Sequence, residues 1–84
     1  MMTNSDKPLS LCREGDTVVI RHVDGGGAFK NRLTEMGFMR DVQLTIVKYA
    51  PLRDPLEVEL KGFYVSLRVE EAANIYVQHA VQSV

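Results

Sequence analysis

The 84-residue chain has no tryptophan, one cysteine (Cys12), two histidines (His22 and His79) and no apolar run long enough to cross a bilayer. One cysteine excludes an intramolecular disulfide framework. A transmembrane helix needs about 20 predominantly apolar residues, so direct membrane insertion is not expected. The polar segment Met1 to Pro8 lacks the apolar run of a signal peptide, which points to a cytoplasmic location. Neither sign of charge dominates: ten Lys/Arg face eleven Asp/Glu, for a net charge of −1. That balance argues against a polybasic membrane anchor and against electrostatic binding of nucleic acid.

Sparse ligands and nucleophiles restrict the chemistry further. Cys12, His22 and His79 stand singly, without Cys-x-x-Cys or His-x-x-x-His spacing. They are weak candidates for a divalent ion (Fe2+ or Zn2+), and no cofactor is required. Glu57 and Glu59 share one strand face and read as its wet side. No Ser/His/Asp, Cys/His or paired-acid arrangement can be assembled, so an enzyme is not expected.

What is present suits one small domain, with 45% hydrophobic residues. Thr17 to Val23 is a β-branched run that reads as a strand, entered through the turn Glu14-Gly15-Asp16. Phe29, Leu33 and Met36 recur at i, i+4 and i+7, the spacing of an apolar helix stripe. This helix should cover about residues 28–37 and stop at Gly37. Val42, Leu44 and Ile46 alternate with polar positions in a strand that runs towards Ala50. Pro51-Leu52-Arg53-Asp54-Pro55 breaks it.

Leu56, Val58 and Leu60 alternate with Glu57, Glu59 and Lys61, and Lys61-Gly62 suits a tight hairpin. A strand over Tyr64 to Arg68, a helical turn over about 69–74 and a last strand over Ile75 to His79 complete the pattern. The expected fold is mainly β: a small, strongly bent barrel of about five strands with one inserted helix. Residues 1–8 are read as a flexible N-terminal tail, 9–80 as the domain and 81–84 as a C-terminal tail.

Gly25-Gly26-Gly27, between a strand and a helix, has the placement of a phosphate-binding loop. The rest of that motif is missing. Lys30 is preceded by Phe29 and followed by Asn31, where a P-loop needs glycine before the lysine and Ser/Thr after it. A dinucleotide fingerprint would need glycine at position 30, and Asp24 adds negative charge where a phosphate would approach. The glycines are therefore read as a corner with positive φ and close backbone approach.

Met36-Gly37-Phe38-Met39-Arg40 carries more apolar surface than a helix cap requires, which suits partner binding. The competing reading places Met36 and Phe38 in the core and leaves only Met39 exposed.

Several segments together resemble the FeoA family of bacterial ferrous iron transport. They are Gly25-Gly26-Gly27, Arg32-Leu33-Thr34-Glu35-Met36-Gly37-Phe38, Ala50-Pro51-Leu52-Arg53-Asp54-Pro55-Leu56, Gly62, Ser66-Leu67-Arg68, Glu71-Ala72 and Ile75-Tyr76-Val77. The resemblance covers about residues 9 to 79. It implies an SH3-like barrel, also related to the C-terminal domain of iron-dependent repressors. It further implies an accessory role beside the FeoB permease, whose cytoplasmic G domain would be the part that binds guanine nucleotide. Gly25, Gly26, Gly27, Gly37, Pro51, Asp54, Pro55 and Gly62 would then be turn and cap positions.

The chain departs from the family pattern in two places: Arg40-Asp41 replaces a usual Pro-Gly, and Arg53 replaces a usual glycine. If position 53 is left-handed, arginine costs on the order of 1 kcal/mol there.

The expected docking surface combines Met36, Phe38 and Met39 as apolar contacts with Lys30, Arg32 and Arg40 as orienting charges. A stand-alone regulatory or metal-responsive module of the same fold is the alternative, and a homo-oligomer stays open. A metallochaperone would need clustered ligands. A nucleic-acid-binding barrel would need a basic face with stacking aromatics, whereas the six aromatic side chains are scattered.

Overall fold

The computed structural model describes residues 6–80. In chain order the elements are β1 (Lys7–Pro8), a 3-10 turn (Leu9–Leu11), β2 (Thr17–Val23), α1 (Gly27–Met36), β3 (Gln43–Tyr49), β4 (Leu56–Leu60), β5 (Phe63–Leu67), α2 (Val69–Ala72) and β6 (Ile75–His79). They form one antiparallel sheet in the order β1-β6-β2-β3-β4-β5, bent in the SH3-like manner. Five strands match the periodicity of the sequence. The sixth, Lys7–Pro8, falls in the segment assigned to the tail; its two residues pair with Val77 and Tyr76 and carry too little pattern to be read. The rest of both assigned tails, residues 1–5 and 81–84, lies outside the described residues.

Two irregularities bend the sheet. The register shifts between Ile20 and His22 on β2 and between Ile46 and Lys48 on β3. Bulges of this kind increase local twist, which lets a single sheet curl over its own apolar face. Val18, Ile20, Leu44, Ile46, Leu56, Val58, Leu60, Leu67, Ile75 and Val77 fill that face, joined by Leu9, Cys12 and Ala72. No polar or charged residue is buried among the described residues.

Helix α1 contributes Leu33 to the core, with Phe29 and Met36 packed against it in part. It ends on Gly37, at φ 104° and ψ 2°, whose N–H meets the carbonyls of Leu33 and Thr34. Phe38 follows directly into the core, 1% exposed, and its N–H donates to the Leu33 carbonyl at 2.9 Å. A side chain at position 37 would meet Leu60 Cδ2 at 3.1 Å.

Of the three consecutive glycines, only Gly25 is held to glycine. It sits at φ 122°, and a Cβ there would lie 2.7 Å from the Phe29 ring. Gly26 caps α1 in extended conformation, and a Cβ added at either Gly26 or Gly27 would meet nothing within 4 Å. The expectation that all three supply positive φ and close approach is corrected: one residue makes the corner, and the other two begin the helix.

Arg53 lies at φ 67°, so the left-handed position inferred from the resemblance is present. Asp41, at φ 71°, takes the second departure from the family pattern in the same conformation. Lys61 and Gly62 both have positive φ, as a two-residue hairpin between β4 and β5 requires. The Arg53 guanidinium rests 4.0 Å from the centroid of the Tyr49 ring, an attraction that opposes the cost of its backbone conformation.

Four variants test these stability effects by denaturant unfolding. Gly25→Ala should destabilise by about 1–2 kcal/mol, while Gly27→Ala, inside the helix and open to solvent, should stabilise by up to about 0.5–1 kcal/mol. Arg53→Ala removes the stacking without relieving the backbone and should cost about 0.5–1 kcal/mol. Arg53→Gly relieves the strain as it loses the contact, so it should stay within about 0.5 kcal/mol of the parent.

Candidate functional site

The turn after α1 decides which side chains reach the surface. Because Phe38 goes inward, the chain presents Met39, 40% exposed, and Arg40 on the outside. Opposite them runs the bulged end of β2, carrying Arg21, His22 and Val23. Between these segments lies a groove of about 320 Å³ lined by Arg21, His22, Val23, Lys30, Thr34, Phe38, Met39 and Arg40.

Four of the six residues expected to dock a partner, Lys30, Phe38, Met39 and Arg40, therefore meet in one groove. The roles of three of the six are corrected or refined. Phe38 is a core residue and contributes only the groove floor. Met36 is half-buried against the core and is absent from the groove lining. Arg32 turns away towards α2: its guanidinium pairs with the Glu71 carboxylate and lies 5.7 Å from the Phe29 ring centroid. Arg21 and His22 carry no docking signal in the sequence, because only the fold sets the end of β2 across the groove from α1 and its following turn.

Charge in the groove is one-sided. Arg21, Lys30 and Arg40 line it with no carboxylate among them. Arg21 is held by Asp41 at 3.0 Å. Among the described residues, neither Lys30 nor Arg40 enters a salt bridge or a side-chain hydrogen bond. Both remain available to an external group.

A larger cleft, about 480 Å³, lies beside Arg13, Glu14, Tyr49, Ala50, Pro51 and Arg53. Two of its polar side chains, Glu14 and Tyr49, already hold the fold together. The Glu14 carboxylate accepts the Tyr49 backbone N–H at 2.9 Å, and the Tyr49 hydroxyl donates to the Cys12 and Ser10 carbonyls. Burial raises the Tyr49 hydroxyl above its usual range, partly opposed by Arg53, so the hydroxyl stays protonated and donating. The Arg13 guanidinium in that cleft has no salt bridge among the described residues either, but the cleft also carries the Glu14 carboxylate, whereas the smaller groove carries cations alone.

The turn residues behave as braces. Asp54 accepts the Val69 N–H at 3.1 Å and lies 3.5 Å from Arg68, which ties the Pro51 to Pro55 turn to the start of α2. Leu52, at the tip of that turn, is 91% exposed.

The three weak metal candidates occupy separate surroundings. Cys12 is 1% exposed, and burial pushes its thiol up, which disfavours the thiolate a metal would need. His22 stacks on Tyr76 at 4.7 Å and lies between Asp6 (3.6 Å) and Asp24 (3.7 Å), which approach opposite ring nitrogens. His79 lies 3.1 Å from the Lys7 ammonium. No group of three His, Cys, Asp or Glu among the described residues is arranged to hold a metal ion. No helix among them is long and apolar enough to cross a membrane.

Comparison with known proteins places this geometry in context. The family model of the FeoA domain matches residues 7–79. An Fe(2+) transport protein A/Fe(2+) transporter FeoB fusion protein of Porphyromonas gingivalis is 46% identical over 70 residues, which span 83% of this chain and 8% of that protein. The solution structure of FeoA from Chlorobium tepidum superposes with a TM-score of 0.83 at 31% identity, covering 92% of this chain and 73% of that one. A manganese-dependent transcriptional repressor superposes with a TM-score of 0.84 at 20% identity, over 95% of this chain and 45% of its own, a likeness of fold alone.

The Arg32 to Glu71 pair sets an acid limit on stability. The hydrogen bond from Arg32, reinforced by the Arg68 N–H, holds the Glu71 carboxyl below the usual range. A depressed carboxylate stabilises the fold above its unfolded titration, about pH 4.3, and that contribution disappears as pH falls through the folded value. Glu71→Gln should leave less acid-dependent loss of melting temperature between about pH 5 and 3, as read by thermal unfolding across that range.

Proposed function

The chain belongs to the FeoA family, and on that premise we propose that it is a cytoplasmic, non-catalytic accessory domain of bacterial ferrous iron uptake. It acts by contact with the cytoplasmic part of a FeoB-type permease and needs no cofactor of its own. The observation that carries this reading is the Porphyromonas gingivalis protein in which a segment 46% identical to this chain shares one polypeptide with a FeoB transporter. Covalent linkage raises the local concentration of one part near the other to about the millimolar range for a short linker. Two parts that act together benefit from such linkage.

The groove beside α1 supplies a docking surface of the ordinary kind, with Met39 as an apolar contact and Lys30, Arg40 and Arg21 as surrounding charge. Docking changes the permease only if the domain binds one of its conformations more tightly than another. The repressor likeness supports a second reading, a stand-alone regulatory module with the same fold.

Amide NMR titration of the labelled chain with the cognate permease's G domain, with and without guanine nucleotide, separates the two. Saturable shifts on residues 21–23 and 29–40 are expected. Met39→Ala combined with Arg40→Glu should weaken them about tenfold or more while the remaining spectrum stays folded. Unchanged affinity in that variant removes this surface.

A further inference from the structure

Resting on the docking reading above, we propose that the groove between β2 and α1 recognises a short acidic peptide segment carrying one apolar side chain, supplied by the partner protein. Charge complementarity is the first ground. Arg21, Lys30 and Arg40 converge on one groove without a lining carboxylate, although the chain as a whole has a net charge of −1. Asp41 offsets Arg21, so the positive charge offered to a ligand rests on Lys30 and Arg40, and it acts over about 8 Å at physiological salt.

The second ground is the combination of charge with an apolar floor. Half-buried Val23 and exposed Met39 line the groove beside the cations, over Phe38, which is itself 1% exposed. A free metal-chelating acid or inorganic anion would use the charges and leave that floor in water. A peptide with a leucine-sized side chain between carboxylates covers both, and the Met39 thioether adapts to its shape.

Nucleic acid fits less well. A single-stranded track combines cations with aromatic faces free to stack. In the groove the one exposed ring, His22, is already stacked on Tyr76. The strongly exposed aromatic residues, Phe63 and Tyr64, lie on β5, three strands away from β2 in the sheet.

The carboxylates nearest this surface define its limits. Asp41 occupies Arg21, and Asp6 and Asp24 approach opposite ring nitrogens of His22 at the groove's edge. Lys30 and Arg40 are therefore the two cations expected to meet the incoming segment, with Arg21 reinforcing them once Asp41 yields.

The test uses the complete labelled chain and a synthetic six-residue peptide of aspartates and glutamates around a single leucine. A second peptide replaces every acid by its amide, and a third replaces leucine by glycine. Saturable amide shifts on Val23, Lys30, Thr34, Met39 and Arg40 are expected with the first peptide. Affinity should fall about tenfold or more with the amide peptide, in 0.5 M salt, or in the Lys30→Glu/Arg40→Glu variant, and severalfold with the glycine peptide.

Absence of shifts at millimolar acidic peptide overturns the proposal, as does equal binding of the amide peptide or tighter binding of a short oligonucleotide. Peptide binding without any response to the permease's G domain retains this inference and removes the docking reading. A response to the G domain that survives Lys30→Glu/Arg40→Glu retains docking and removes this inference.

Discussion

The left-handed turn at Gly37 is the constraint on which the rest depends. In one residue it ends α1, returns the chain to the sheet and sends Phe38 into the interior. Leu60 approaches so closely that a side chain at position 37 would contact it, so the turn and the packing of β4 are a single requirement. After the buried Phe38, the next two side chains face outwards. The groove thus adjoins the closing of the core: Met39 and Arg40, which line it, follow directly on the buried Phe38.

A domain of this size has few interior residues to hold three non-strand segments in place, and polar braces supplement them. Glu14 and Tyr49 fasten the segment before β2 to the end of β3. Asp54 fastens the β3 to β4 turn to α2, and Glu71 fastens α2 to Arg32 on α1. Each brace joins elements far apart in sequence, at an exposed or half-buried position where the pair alone contributes modestly. Together they fix how loops and helices sit on the sheet, which burial of apolar surface alone specifies loosely. Arg32, a cation that sequence alone offers to a partner, belongs to this internal set.

Much of the fold was legible because its signals are local. Alternation in Leu56-Glu57-Val58-Glu59-Leu60, β-branching in Thr17 to Val23, the stop at Gly37 and the hairpin at Lys61-Gly62 each report a backbone preference over a few residues. Even the strained position of Arg53 follows from the family resemblance, which places a glycine there. Lys7–Pro8 was not legible, since two residues have no period and their strand character comes wholly from β6. The groove was half legible: Lys30, Met39 and Arg40 lie within one stretch, whereas Arg21 and His22 arrive from a strand whose bulge interrupts the alternation that would have assigned their faces.

The two departures from the family pattern connect these levels. Asp41 adopts the left-handed conformation that a glycine would take easily, and its N–H donates to the Ile20 carbonyl at 2.8 Å, prolonging the β2 to β3 contact beyond the ladder. The same residue's carboxylate holds Arg21 at the groove. A glycine there would lower the backbone cost by about 1 kcal/mol but would leave Arg21 without this tether. Arg53 shows the same exchange, with strain opposed by its contact with Tyr49. At both turns a charged side chain stands where the backbone alone would favour glycine, and in both the side chain orders a neighbour that the turn itself does not reach. Arg40, immediately before Asp41, adds a further cation beside Lys30, so the pair that replaces Pro-Gly supplies one charge to the groove and positions another.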